Sequence, residues 1–341
     1  PFYRLVFGES DGLPGLVVDR YGDLLVVQIT TAGMERVRPE ILAALEEVVG
    51  PTSILLRNDT AVRELEGLPL ANDVALGEPP VDIEVPEHGN RFLVSPLTGQ
   101  KTGWFYDQAE NRDRLARFCQ PRRALDVCSY IGAWGLRAAR LGAAEVVCVD
   151  SSATALERVG ENAERNGLLD RITGVQGDAF EVLRLLKEQG ERFDLVMLDP
   201  PAFIKRRKDE HEGLQAYQRL NRLGLEVLEP GGLLVTCADD PGALRLATAV
   251  AARARVVTYG TGDAPGVGER AHVRVDVVAM SGAGSRSRLA VQVADGAASA
   301  DVAGSTAHAD AGPAAGPGPV ALVRRPAVLD LQVAGTHMAL N

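Results

Sequence analysis

The chain has 341 residues, 46% of them hydrophobic and 24% charged, with a formal net charge of -10 at pH 7. That length suits two or three globular domains, and the acidic balance excludes a protein that coats nucleic acid indiscriminately while leaving room for a local basic patch. The longest apolar runs, such as Leu24 to Ile29, are strand-sized, so no membrane span is expected, and no secretory leader pattern opens the chain.

Cys119, Cys128, Cys148 and Cys237 form no CxxC pair and no regular framework. They point to free thiols in a reducing cytoplasm, with neither disulfides nor a metal. The first residue is Pro1 rather than Met, as expected of a chain that lacks its natural start.

In chain order, residues 16–19 and 24–29 are β-rich runs joined at Arg20-Tyr21-Gly22-Asp23, which predicts a hairpin. Val37, Ile41, Leu42, Leu45 and Val48 recur at helical spacing and predict a helix over 34–49, after which 53–56 returns as a strand. These elements make a small α/β domain over 1–78. Residues 81–85 and 91–94 flank Glu87-His88-Gly89-Asn90, a second hairpin signal, in a linker spanning 79–107. From Arg123 strand and helix alternate. Strands are expected at 124–128, 145–149, 174–177, 193–198 and 232–237, and helices at 135–141, 153–166, 180–188 and 214–228. Strict alternation predicts an α/β fold with a parallel-rich, Rossmann-like sheet covered on both faces, here over 108–240. Beyond it, 241–255 reads as a helix and 255–259 as a strand. The segment 295–319 is aromatic-free and low in complexity, so an irregular, partly disordered tail is expected over 241–341.

The first strand of the alternating region runs into Asp126-Val127-Cys128-Ser129-Tyr130-Ile131-Gly132-Ala133-Trp134-Gly135. A strand entering a tight glycine turn and then a helix lets a ligand approach the backbone. Alone, the turn suits an ordinary strand-to-helix connection equally well, because it lacks a full GxGxxG. The next strand ends at Asp150, where a carboxylate can accept bonds from both hydroxyls of a ribose. The third ends at Asp178, within reach of an adenine amino group, and the fourth at Asp199-Pro200-Pro201-Ala202-Phe203. Polar or turn residues at four consecutive strand tips define one crevice. A nicotinamide dinucleotide is the main rival occupant. The glycine spacing gives no pyrophosphate cradle and no GxxxxGK[ST] occurs, so S-adenosylmethionine, which carries no phosphate, fits better.

These residues resemble the RlmI-type large-subunit ribosomal RNA cytosine-C5 methyltransferases. The likeness runs over about 3–236 and is carried by Gly8-Glu9-Ser10-Asp11-Gly12-Leu13-Pro14-Gly15, Ala61-Val62-Arg63-Glu64-Leu65-Glu66-Gly67, Gly99-Gln100-Lys101-Thr102-Gly103-Trp104-Phe105-Tyr106-Asp107-Gln108, Asn111-Arg112 and the Ser129-Tyr130-Ile131-Gly132-Ala133 turn. The resemblance implies a class I methyltransferase domain behind a small α/β domain and a hairpin, without the N-terminal RNA-binding PUA domain usual in that family. It implies that Lys101, Phe105 and Gln108 line the S-adenosylmethionine pocket together with Ser129, Tyr130, Gly132, Ala133, Asp150, Asp178 and Asp199. Trp104 and Phe105 suit a packed interdomain core equally well.

Asp199 and Phe203 would face a base taken out of its stack, and Lys205-Arg206-Arg207-Lys208 would hold RNA phosphates, although Asp209, Glu210 and Glu212 partly cancel that run. Cytosine C5 needs a cysteine thiolate to attack C6. In the resembling family this cysteine follows the fifth strand in a Ser-Cys-Ser step. Here Asp239 holds that place, and Cys237, two residues earlier, is the candidate surrogate. Residues 237–341 resemble an interior fragment of the UDP-N-acetylmuramate–alanine ligases, through Cys237-Ala238-Asp239-Asp240-Pro241-Gly242 and Ala334-Gly335-Thr336-His337-Met338. The missing P-loop argues against ATP-dependent ligation. The expected partner is ribosomal RNA and the expected location cytoplasmic. Two alternatives stay open: guanine-N7 methylation, which needs no cysteine, and a catalytically silent S-adenosylmethionine- or RNA-binding chimera.

Overall fold

The computed structural model describes residues 1–100, 102–117, 123–204 and 207–230, together with five strands beyond residue 232. Two compact units divide it, Pro1–Glu229 and Pro230–Asn341.

The first unit opens with a five-stranded sheet of β1 (Phe2–Phe7), β2 (Leu16–Tyr21), β3 (Leu24–Ile29), β4 (Ser53–Asn58) and β5 (Ala71–Leu76), ordered as in the chain. Only the β3–β4 pair is parallel. The expected hairpin forms, with Tyr21 opposite Leu24 and a left-handed Gly22 between them. The helix expected over 34–49 is instead two, α1 (Ala32–Arg36) and α2 (Arg38–Val49). The cause is Pro39 in the first turn of α2, which has no N–H to give the carbonyl of Glu35. A short α3 (Val62–Leu65) precedes β5. Side chains alternate along the strands. Leu25, Val27, Ile29, Ile54 and Leu56 face Leu45 of α2, whereas Leu24, Val26 and Leu55 face the rest of the unit.

The second hairpin comprises β6 (Ile83–Glu87) and β7 (Asn90–Val94) around left-handed His88 and Gly89, a type I′ turn. Its Phe92 packs on Trp104, the ring centroids 4.8 Å apart, and both are buried. The Trp104 indole N–H reaches Glu87 Oε2 at 3.1 Å, so of the two roles open to this residue the core role applies. The short α4 (Ala109–Arg114) then leads into the alternating region.

That region supplies β8 (Arg123–Val127), α5 (Ala133–Arg140), β9 (Glu145–Asp150), α6 (Ala153–Arg165), β10 (Ile172–Gln176), α7 (Ala179–Glu188), β11 (Leu195–Leu198) and α8 (Glu210–Val227). The strands form a parallel sheet ordered β10-β9-β8-β11. Both faces are buried: Ala124, Val146 and Cys148 point to one core, Leu125, Val127, Val147 and Val149 to the other. The order reverses at β8, so the carboxyl ends of β8 and β11 flank a topological switch point, where open α/β sheets bind ligands.

In the second unit β12 (Leu233–Cys237), β13 (Arg255–Gly260), β14 (Val273–Met280), β15 (Ser287–Val293) and β16 (Ala327–Leu331) form one sheet in chain order. The first three run parallel and the last three antiparallel. The helix expected at 241–255 lies, but for Arg255 at the start of β13, outside the described residues, as do the segment 295–319 and residues 334–341. Among the described residues no helix is long and apolar enough to cross a membrane.

Trp104 ties the hairpin to the parallel-sheet core. Trp104→Ala is expected to cost roughly 3–5 kcal/mol, the usual range for truncating a buried aromatic. Urea denaturation checks this, and a loss below about 1 kcal/mol would mean that the ring is not part of the core.

Candidate cofactor and base-binding site

The crevice starts from one buried carboxylate. Asp126 sits in the interior of β8, fully shielded, where its Oδ2 accepts the Gly135 N–H at 2.8 Å and its Oδ1 has no partner. Burial pushes its pKa up to about 7, helped by the charges of Asp199 and Asp150 and opposed by the Gly135 bond and Arg112. From β8 the chain turns through Cys128, Tyr130 and Gly132, all left-handed, with φ of 63, 49 and 83°. Such φ values cost of order 1 kcal/mol or more for non-glycine residues and recur at ligand sites. At Gly132 the left-handed φ strains any side chain, and a Cβ would also press on Leu136 Cδ1 at 2.7 Å.

Asp150 at the tip of β9 fixes this turn. Its Oδ2 accepts the Tyr130 N–H and its Oδ1 the Ser152 N–H, each at 2.9 Å. The hydroxyl of buried Ser129 has no partner. Asp178 caps α7, with Oδ1 accepting the N–H groups of Phe180 and Glu181, and among the described residues no bond reaches Oδ2. Asp199 accepts the indole N–H of Trp134 on α5 at 3.1 Å. Cys128 lies among these groups. Burial, together with the negative charges of Asp150, Asp126, Asp199 and Asp178, raises its pKa to about 12.

A strap closes over the turn. The Tyr130 hydroxyl accepts the Gln100 N–H at 3.1 Å and donates to the Gly103 carbonyl at 3.3 Å, while its ring meets Phe105 edge-on at 6.0 Å. Arg57 of β4 holds the strap from the other side. Its guanidinium bonds the carbonyls of Pro96 and Gly99, the latter at 3.0 Å, and pairs with Asp59 at 3.1 Å. A Cβ on Gly99 would come within 2.8 Å of the Tyr130 oxygen, so this approach requires glycine.

Asp150, Asp178, Asp199, Ser129, Tyr130, Gly132 and Ala133, the first residue of α5, therefore all lie at or just beyond the carboxyl ends of the parallel strands, with Phe105 on Tyr130. Gln108 turns instead to Asn111, 3.1 Å away. Phe203 is half-buried, its ring 5.9 Å from Phe180 and 4.7 Å from Tyr217, and its N–H donates to the Tyr217 hydroxyl. Lys101, Lys205 and Arg206 and the side chain of Arg207 lie outside the described residues; Lys208 is exposed. Cys237 ends β12 in the second unit, and its side chain is likewise outside them. Sequence reasoning missed Asp126, Arg57, Trp134 and Tyr217. An acidic residue inside the apolar run Ala124-Leu125-Asp126-Val127 was the available signal for the first. Among the described residues no His, Cys, Asp or Glu cluster could hold a metal ion.

S-Adenosylmethionine carries a sulfonium and an ammonium against one carboxylate. Two unpartnered buried oxygens at the turn and carboxylates on the strand tips suit such a cation, and they would oppose a pyrophosphate. The residues present thus fit this cofactor.

The comparisons with known proteins agree. A family model described as S-adenosylmethionine-dependent methyltransferase matches residues 68–255. The chain belongs to that family. Two relatives called ribosomal RNA large subunit methyltransferase I, from Erwinia tasmaniensis and Aeromonas salmonicida, are 39% and 42% identical over 236 residues, 69% of this chain. The chain spans only 60% of the length of each. Among solved structures, a protein from Streptococcus mutans described as a SAM-dependent methyltransferase is 25% identical, with a TM-score of 0.59 over 68% of this chain and 59% of its own. A methyltransferase solved with SAH, SMU.776, is 26% identical at the same TM-score and coverage.

Two outcomes follow. Below about pH 7 Asp126 is protonated, and a cation against its Oδ1 favours the ionised form, so cofactor affinity should rise with pH and level off above that value. Calorimetric titrations across this range should show the slope in the native chain and a flat profile in Asp126→Asn; equal slopes refute the coupling. Arg57→Ala should loosen the strap and weaken cofactor binding about tenfold, or ~1.4 kcal/mol, and an unchanged dissociation constant would show that Arg57 does not position it.

Proposed function

We propose that the chain transfers a methyl group from S-adenosylmethionine to a base of large-subunit ribosomal RNA, with cytosine C5 as the acceptor. The observation that carries the cofactor half is the convergence of Asp126, Asp150, Asp178 and Asp199 around the left-handed turn. The RNA half is supported by the names of the relatives and by the basic run 205–208 just beyond the fourth strand tip. An RNA substrate of this kind would set the reaction in the cytoplasm.

The cofactor supplies an electrophilic methyl group on a cationic sulfur. Ser129 and Asp126 would hold its amino-acid end, Asp150 the ribose and Oδ2 of Asp178 the adenine amino group. The strap of 96–105 would exclude water from the turn. Asp199, held by Trp134, would set the edge of the target base, and Phe203 would support its face. Cytosine C5 chemistry needs a cysteine thiolate, for which Cys237 is the surrogate candidate the sequence offers. Its thiolate adds to C6, C5 takes the methyl group, and loss of the C5 proton to a base expels the thiolate. Cys128 is unsuited to that part, since a thiol with a pKa near 12 is not ionised at neutral pH.

That last observation also favours a second reading, methylation of a ring nitrogen such as guanine N7. An already nucleophilic nitrogen needs positioning alone.

One experiment separates these. The purified chain, its Asp150→Ala variant and its Cys237→Ser variant are titrated with S-adenosylmethionine, then assayed for methyl transfer to large-subunit ribosomal RNA with mapping of the modified base. Micromolar cofactor binding lost in Asp150→Ala, with 5-methylcytosine formed by the native chain and not by Cys237→Ser, is the expected result. A methylated ring nitrogen that survives Cys237→Ser overturns the cytosine assignment, and no cofactor binding overturns the whole reading.

A further inference from the structure

A concavity of about 390 Å³ lies between α7 and α8, lined by Arg184, Lys187 and Glu188 on one helix and Arg219, Arg222 and Glu226 on the other. Lys187 and Glu226 pair across it at 2.9 Å. Arg184, Arg219 and Arg222 form no ion pair among the described residues, so three guanidinium groups share one groove with Glu188 as the only uncommitted carboxylate of its lining. In a chain of net charge -10 such a concentration of unpaired cations calls for an anionic ligand. Like charges held together repel until a counter-anion arrives.

The groove also connects to the crevice. The Arg219 guanidinium lies over the Phe180 ring at 5.0 Å, and Phe180 stands 5.9 Å from Phe203, which packs on Tyr217 two residues before Arg219 on α8. Stacking surfaces followed by guanidinium forks are what a single-stranded nucleic acid uses: rings for its bases, arginines for its phosphates. Arg222 sits one turn beyond Arg219, and Arg184 faces the groove from α7.

We infer that this groove holds the phosphodiester backbone of the RNA strand whose target base enters the crevice, a step that rests on the methyltransferase reading above. Arg184 and Arg222 grip successive phosphates, and Arg219 bridges the aromatic rings and the backbone.

The test uses the full chain with S-adenosylhomocysteine present and a fluorescent single-stranded oligonucleotide of large-subunit ribosomal RNA sequence, followed by anisotropy at several salt concentrations. An Arg184→Ala/Arg222→Ala double variant should bind the RNA about tenfold more weakly, with a log–log salt slope shallower by about 1.4, or ~0.7 for each lost phosphate contact. Its affinity for S-adenosylmethionine should stay unchanged, and an Arg184→Lys/Arg222→Lys variant should keep most of the RNA affinity. Equal affinity and slope for the alanine variant overturn the groove, as does a lysine variant that fails as fully as the alanine one. Native chain that binds cofactor but no RNA defeats the RNA reading itself, a result separable from the first because it appears without any substitution.

Discussion

The crevice depends on a carboxylate placed where a strand should be wholly apolar. Asp126 occupies an interior position of β8, and the Gly135 N–H from the first turn of α5 is its one bond. That bond draws the start of the helix back over the strand end, and the intervening residues must then turn through left-handed conformations at Cys128, Tyr130 and Gly132. The close approach needs room as well. A Cβ on Gly135 would lie 2.6 Å from Cys148 Sγ, so the packing of α5 on β9 requires glycine there. The strain and the buried charge together hold polar atoms, Asp126 Oδ1 and Ser129 Oγ, out of water without a partner, which a packed core alone would not tolerate.

The N-terminal sheet is part of the same arrangement. Asp19 of β2 is fully buried, takes both arms of Arg4 at 2.8 and 3.0 Å and accepts the Thr102 hydroxyl. The Tyr21 hydroxyl donates to the Thr102 carbonyl at 3.1 Å, and the Tyr106 hydroxyl to the Arg20 carbonyl at 2.9 Å. With Arg57 on Pro96 and Gly99, these bonds fasten the strap at several points to a sheet far from it in sequence. Buried, charge-assisted bonds of this kind lose much when one partner is removed, because the other remains desolvated. The small domain thereby shapes the cofactor pocket through the strap.

What the sequence made legible follows from periodicity. The strands β8, β9 and β10 and their helices were readable within a few residues because a parallel sheet buried on both faces leaves continuous apolar runs between amphipathic helices. The outer strands β1 and β5 were not read. Exposed residues break their alternation, and their place in the sheet depends on β2 and β4. The split of α1 from α2 was legible in Pro39 and overlooked in favour of the hydrophobic spacing. At the crevice the turn and the strand-tip aspartates could be named from the chain alone. Their present partners could not: Asp178 as a helix cap and Asp199 on Trp134 depend on neighbours brought in by the fold.

The charge of the molecule is sorted rather than uniform. Carboxylates cluster where the parallel strands end, and burial together with their charge raises the pKa of Cys128 far enough to silence the thiol nearest the turn. A cation bound there lowers that field, and a polyanion would be repelled by it. On the proposed reading the phosphates of an RNA substrate would be carried on neighbouring basic surfaces, and only an uncharged base would enter the crevice. The half-buried ring of Phe203 stands at that border, between the aspartates and the arginines of α7 and α8. An apolar aromatic there favours neither sign of charge, so the packing that closes the core against Phe180 and Tyr217 is compatible with the base-supporting role proposed for it.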